Sequence, residues 1–273
     1  MAHFMNLDLV VILQLMAVGI GAGYAAGLLG IGGGMVLVPF ITAILQHQGL
    51  GLDMAVKMGI ATGMATIVFT SISSMRAHNK QGAVRWDLVK TIAPGIFLGA
   101  LFTSLGLFGV LKGKWLAVLF GVFVIFSATQ MLLDRQPKAS RTMPAVPGRV
   151  AAGGVIGAVS GLVGAGGGFI SVPFLVWCNV PMHSAVATSA ALGFPIALFN
   201  SIGYAYSGAG LAGRLDYSLG YIWLPGLLLI ASCSVLTAPL GAKTAHALNP
   251  RPLKRVSALA LYAAAVYMLL KVL

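Results

Sequence analysis

Apolar runs separated by short polar gaps cover almost the whole chain. A helix needs about 20 mostly apolar residues to cross the hydrocarbon core of a bilayer. Runs of that kind occupy 54–75, 88–111, 115–133, 182–206, 218–242 and 255–271. Two further stretches, 8–48 and 150–180, are apolar throughout but are each cut by a glycine cluster. The clusters are Gly30-Ile31-Gly32-Gly33-Gly34 and Gly164-Ala165-Gly166-Gly167-Gly168. Each glycine costs a helix about 1 kcal/mol relative to alanine. Both stretches are therefore expected to break, with half-helices resuming near Met35–Gln46 and Phe169–Cys178. The pattern predicts an all-α membrane protein of about eight transmembrane helices plus glycine-broken hairpin segments.

The two clusters expose an internal repeat. At an offset of 134, eleven positions between Gly19 and Phe40 are identical to their counterparts between Gly153 and Phe174. They include Gly19, Gly23, Gly27, Gly30, Gly32, Gly33, Gly34 and Pro39, matched by Gly153, Gly157, Gly161, Gly164, Gly166, Gly167, Gly168 and Pro173. After an eight-residue shortening, Ala61-Thr62 matches Ala187-Thr188, and Lys57 falls opposite His183. Farther on, Arg85-Trp86-Asp87 matches Arg214-Leu215-Asp216. The chain divides into a first transmembrane repeat, 1–134, a basic linker, 135–149, and a second repeat, 150–273.

Composition confirms lipid as the solvent. Charged residues are 8% of the chain, against roughly a quarter in soluble domains. That excludes a soluble enzyme, a disordered tail and a secreted disulfide scaffold. The net charge of +12 would suggest nucleic acid in a soluble protein, but here the basic residues sit in short gaps between apolar runs. Cys178 and Cys233 lie inside apolar runs without metal-ligand spacing. The absence of Lys or Arg before Lys57 argues against a cleavable basic leader.

Sorting the basic residues by side selects a topology. If each broken stretch crosses once, the two sides hold 10 and 7 basic residues. If each turns back on itself, the partition becomes 12 against 5, and the repeats are inverted with both termini outside. The sparse side then keeps Lys57, Lys112, Lys114, Arg214 and Lys271. The sharper partition is preferred, and it puts the polar linker on the cytoplasmic surface of the inner membrane.

The run Gly27-Leu-Leu-Gly-Ile-Gly-Gly-Gly-Met-Val-Leu-Val-Pro-Phe40 and its repeat over 161–174 resemble the signature of the TauE/SafE sulfite exporter family. The Ala-Thr elements at 61–62 and 187–188 and the Arg-Trp-Asp turn at 85–87 fit that pattern. The resemblance implies movement of a small sulfur-containing or organic anion, such as sulfite, sulfoacetate or another sulfonate, across the cytoplasmic membrane. The chain departs from its own repeat at Met58-Gly59 and Gly63, where the second half carries Ser184-Ala185 and Ser189. The first-half site is accordingly expected to be the less polar.

Candidate chemistry follows from the breaks. Glycine permits positive φ and lets a ligand approach the backbone. The helices that follow would present unpaired N–H groups and a positive dipole end, an anion site without buried side-chain charge. Gly32, Gly33, Gly34, Gly166, Gly167 and Gly168 are the candidate backbone ligands. The upstream ladder Gly19, Gly23, Gly27 reads instead as close helix packing. Hydroxyls and amides at Thr62, Thr66, Ser71, Thr188, Ser189, Asn200 and Ser201 lie in the spans after each break. Of these, Thr62, Thr188 and Asn200 are candidates to assist, set against ordinary bonding within their own helices. Lys57 and His183 are candidates for a cationic entrance, the competing reading being side chains that reach for the interface.

The chain has no Glu, and its five Asp fall at span ends or loops. No buried carboxylate is available for a proton relay. Neither a cofactor nor a metal is expected, and no catalytic residue is assigned. The expected partners are the anion, the bilayer and, at most, a second copy in a homodimer, with no nucleic acid. The reading is an anion exporter working by alternating access. A passive anion channel is the alternative, and an intramembrane hydrolase built on Ser160 and His246 is a remote one.

Overall fold

A computed structural model of the chain describes residues 8–30, 33–133, 140–211, 217–247 and 251–271. Among them, seven helices are long and apolar enough to span a bilayer. They are α1 (Leu9–Leu29), α3 (Leu52–Asn79), the continuous run Trp86–Val110, α6 (Gly113–Leu133), α7 (Val146–Val163), α9 (Met182–Ser207) and α10 (Leu224–Ala247). The run Trp86–Val110 contains α4 (Trp86–Leu101), a π-helical stretch at Phe102–Leu107 and the single turn α5 (Phe108–Val110).

The expected count of about eight is thus not met by long helices. In α11 (Arg251–Leu270) the stretch Arg255–Leu270 is apolar but shorter than the seven long helices. Residues 218–223, expected to open a span, form a two-strand ribbon in which Ser218–Leu219 pairs antiparallel with Ile222–Trp223. A second boundary also moves. Pro147, pre-set for a helix's first turn, lets α7 begin at Val146, so Arg149 belongs to that helix and not to the linker.

Both glycine clusters break their helices. Gly30 caps the end of α1 at φ +67° and Gly33 opens α2 (Gly34–His47) at φ +73°. In the second repeat Gly164 ends α7 at φ +71° and Gly167 opens α8 (Gly168–Trp177) at φ +76°. Side chains rarely adopt such angles, so these four positions require glycine.

Close glycine contacts give the helix directions. Gly19, Gly23 and Gly27 of α1 press in order on Ile230, Ser234 and Ala238 of α10, so those two helices run parallel. In the same way Gly95 and Gly99 of α4 press on Val150 and Gly154 of α7. Each repeat's first helix therefore packs along the fourth helix of the other repeat. The upstream ladder is packing surface, since a Cβ at Gly27 would collide with the Ala238 carbonyl.

At the centre, α3 and α9 lie side by side and are the most buried spans, at 83% and 72% of their apolar windows, against 28% for α1. Ser71 of α3 faces Gly193 of α9, while Ser74, one turn onward in α3, shares a cavity with Ala190, one turn back in α9. That register is antiparallel. α6 and α11 pair at the edge, through Gly121 against Leu269 and a hydrogen bond between Thr129 and the Tyr262 hydroxyl.

Candidate functional site

The breaks lie against one another in the interior, between α3 and α9. A Cβ at Gly34 would run into the Gly164 carbonyl, so the start of α2 touches the tip of the opposite hairpin. Gly30 packs on the backbone of Val186 in α9, and Gly164 packs on Ile60 in α3. Val186 and Ile60 are repeat-equivalent, each one residue before the Ala-Thr pair. The reciprocity brings both clusters and the two central helices into one place.

The N–H groups of Val36 and Leu37 bond to the Gly33 carbonyl, and those of Ile170 and Ser171 to the Gly167 carbonyl. The first-turn amides ahead of them, at Gly34, Met35, Gly168 and Phe169, have no partner available within their own helix. Gly166 is buried, with its carbonyl 3.6 Å from where a Cβ of Gly193 would stand. Gly32 lies outside the described residues.

A small cavity sits beside the first break. Its walls are Ala26 and Gly30, then Thr70, Ser71 and Ser74 of α3, then Ala190 and Gly193 of α9. Its volume is about 10 Å³, room for about one water and smaller than sulfite. The Ser74 hydroxyl is buried with no hydrogen-bond partner among the described residues. Sequence reasoning passed over Thr70 and Ser74. The available signal was helical spacing, because Thr66, Thr70 and Ser74 recur every fourth residue on one face of α3.

Ser189 ties the first break to the second repeat. Its hydroxyl lies 3.1 Å from the Gly30 carbonyl and 2.7 Å from the Ser171 hydroxyl, which lies 3.0 Å from the Gly167 carbonyl, so two hydroxyl protons serve three contacts. The equivalent positions in the first repeat are Gly63 and Leu37, which touch each other and carry no polar side chain. Ser189 of α9 thus reaches across to the first break, while Ser171 and Ser160 stand at Gly167 of the second.

Thr62 and Thr188 are buried but do not point into the breaks. The Thr62 hydroxyl accepts the backbone N–H of Trp223, just ahead of α10, at 2.9 Å. The Thr188 hydroxyl accepts that of Arg85, just ahead of α4, at 3.1 Å. Each threonine anchors the start of the helix that packs along the opposite repeat. Asn200 is fully buried against α7; its amide nitrogen donates to the Ile196 carbonyl at 2.9 Å. Its Oδ1, beside Gly161, has no partner among the described residues. An oxygen in that orientation suits a donor and not an anion.

Lys57 is only 6% exposed, so it does not reach for the interface. Its Nζ donates to the Gly109 carbonyl at 3.2 Å and lies 5.6 Å from the centre of the Tyr221 ring. Burial, with the Asp53 carboxylate nearby, pushes the Tyr221 phenol up. Lys57 stands one turn before Ile60, the residue against Gly164. His183, by contrast, is exposed near the start of α9, one turn before Val186, the residue against Gly30. The two side chains thus stand at opposite ends of the central helix pair. No group of His, Cys, Asp or Glu capable of holding a metal occurs among the described residues.

Residues 15–268 match the family model described as sulfite exporter TauE/SafE. A "probable membrane transporter protein" of Haemophilus influenzae is 35% identical over 261 residues, covering 95% of this chain and 98% of that relative. One from Methanocaldococcus jannaschii is 28% identical over 257 residues, 94% of each chain. YunE of Bacillus subtilis, named in the same way, is 28% identical over 218 residues, covering 71% of this chain and 78% of YunE. No solved structure matches the chain.

Proposed function

The chain belongs to the TauE/SafE sulfite exporter family and is a multi-pass membrane transporter; from that premise we propose that it carries a small sulfur-containing or organic anion, sulfite or a sulfonate, out of the cell by alternating access. The observation that carries this reading is the contact of the α2 N-terminus with the opposite glycine break at Gly164, between α3 and α9. Backbone N–H groups and helix dipoles hold an anion there without a buried cation. The repeats are inverted, a reading supported by the antiparallel register of α3 and α9 and by the parallel pairs α1–α10 and α4–α7.

The path we propose runs from His183 past Gly30, across the contact of Gly34 with Gly164, to Lys57. The cavity beside Gly30 is too small for the substrate, which fits an occluded conformation that opens to one side at a time. The eight described basic side chains at Arg76, Lys80, Arg85, Lys90, Arg141, Arg149, Lys243 and Arg255 gather at one end of the bundle, with Lys57, Lys112, Lys114 and Lys271 at the other. On the positive-inside rule the first end is cytoplasmic, in the inner membrane of the cell. The inside-negative potential then favours anion exit by about 2.3 kcal/mol per charge per 100 mV.

Flux into and out of proteoliposomes tests this with sulfite, sulfoacetate, thiosulfate and lactate, with and without a pH gradient. Saturable flux stimulated by anion on the opposite side supports a carrier. Flux rising linearly with the gradient supports a channel, and no movement of any of the four overturns the anion assignment.

A further inference from the structure

Away from the breaks, a crevice of about 750 Å³ opens between α3 and α10 at the basic end of the bundle. Arg76 and Lys80 stand on its α3 wall and Lys243 on its α10 wall. No carboxylate lines it, and none of the three cations has an ion-pair partner among the described residues. Below them the walls turn apolar, with Phe69, Ile72 and Ala77 on one side and Val235 and Pro239 on the other. Phe69 is 48% exposed although it lies in the middle of α3, so the crevice faces lipid and not the transport path. Hydrogen bonds from Ser73 to the Val235 carbonyl, and between Thr70 and Ser234, close its floor.

The dimensions select an occupant. From Phe69 to Lys80 the helix rises about 16 Å at 1.5 Å per residue, about half of a hydrocarbon core some 30 Å thick. The crevice therefore runs from mid-bilayer to one surface, the depth of a single leaflet. Basic side chains at the membrane surface attract anionic headgroups, and here three of them cap an apolar slot one leaflet deep. We propose that the α3–α10 crevice binds one anionic phospholipid. Its phosphate lies among Arg76, Lys80 and Lys243, and an acyl chain lies along Phe69, Ile72, Val235 and Pro239. A soluble anion would have no use for the apolar slot. The lipid would rest on the seam whose Thr70 also lines the cavity at the first break.

Native mass spectrometry of the purified full chain tests the site, with phosphatidylglycerol titrated against phosphatidylcholine. The wild type is expected to hold one phosphatidylglycerol at least about ten-fold more tightly than phosphatidylcholine, and R76Q/K80Q/K243Q to lose that preference. K112Q/K114Q, at the opposite end, keeps it. V235W leaves every charge in place but fills the slot, and should weaken binding about as much. Thermal melting in lipid-free detergent identifies any variant that fails to fold, and V235W then carries the test alone. Equal binding of both lipids, retention of phosphatidylglycerol by the folded triple variant or V235W, or its displacement by millimolar sulfite or inorganic phosphate would overturn the proposal.

Discussion

The two glycine breaks have the same backbone and different surroundings. Each ends one helix on a left-handed glycine and opens the next on another, with φ values within a few degrees of each other. Around the first, Ser189, Thr70, Ser71 and Ser74 supply hydroxyls, one of them bonded to the Gly30 carbonyl. Around the second, Gly164 meets the apolar Val38 and Ile60, while Ser160 and Ser171 stand at Gly167. The duplicated backbone sets where the chain can turn. Each turn also takes side chains from the other repeat, Ser189 at the first and Val38 and Ile60 at the second, and at Ser189, whose counterpart is Gly63, the repeats have diverged.

The largest way to break this comparison is at the contact of Gly34 with Gly164, where the hairpins touch. G34L forces a side chain against the Gly164 carbonyl and the Ile67 side chain, a contact that backbone cannot relieve. Anion flux in proteoliposomes should fall to background. G63L, whose first carbon would meet only ordinary contacts, should lose far less. Equal losses would mean that the hairpin contact is not special.

Next are the two reciprocal anchors. T62V and T188V each orphan one backbone N–H ahead of a helix, so each should cost about 2 kcal/mol in unfolding experiments in detergent. The sites do not share a partner, so the double variant should add to within about 0.5 kcal/mol. Unequal costs would show that the helix pairings α1–α10 and α4–α7 are not energetically equivalent.

A smaller effect sharpens the asymmetry itself. S189A removes the donor to the Gly30 carbonyl and should cost about 1 kcal/mol. G63S, its counterpart at the second break, should be neutral or stabilising by about 0.5 kcal/mol, from helix propensity alone. If G63S costs as much as S189A, the second break is less tolerant than its apolar contacts suggest.

The smallest stability effect carries the most information about transport. Ser74 has no hydrogen-bond partner among the described residues, so S74A should leave the melting midpoint unchanged. If its hydroxyl faces the anion, the KM for sulfite flux should rise several-fold with little change in maximal rate. An unchanged KM would remove Ser74 from the binding site and leave the backbone amides as its main donors.

Much of this molecule was legible in one dimension. The half-helices after each break begin within one residue of where glycine propensity put them, at Gly34 and Gly168. The ladder Gly19, Gly23, Gly27 read correctly as packing, although nothing in its spacing named α10 as the partner. Thr62 and Thr188 illustrate the limit. Their repeat equivalence marked them as a pair, but a hydroxyl's role depends on which group faces it, and each faces a helix start more than 100 residues away.

By itself, then, the sequence determined which segments are apolar enough to span a bilayer, to within the start of α10, and where glycine breaks them. Hydropathy, glycine's backbone freedom and the cost of moving charge across lipid act locally, so they can be read residue by residue. Only the tertiary structure decided that first and fourth helices pair across the repeats, that Ser189 serves the opposite break, and that Lys57 is buried while His183 is exposed. Those outcomes depend on which faces of which helices meet, and inside a membrane small residues on many faces permit more than one such meeting.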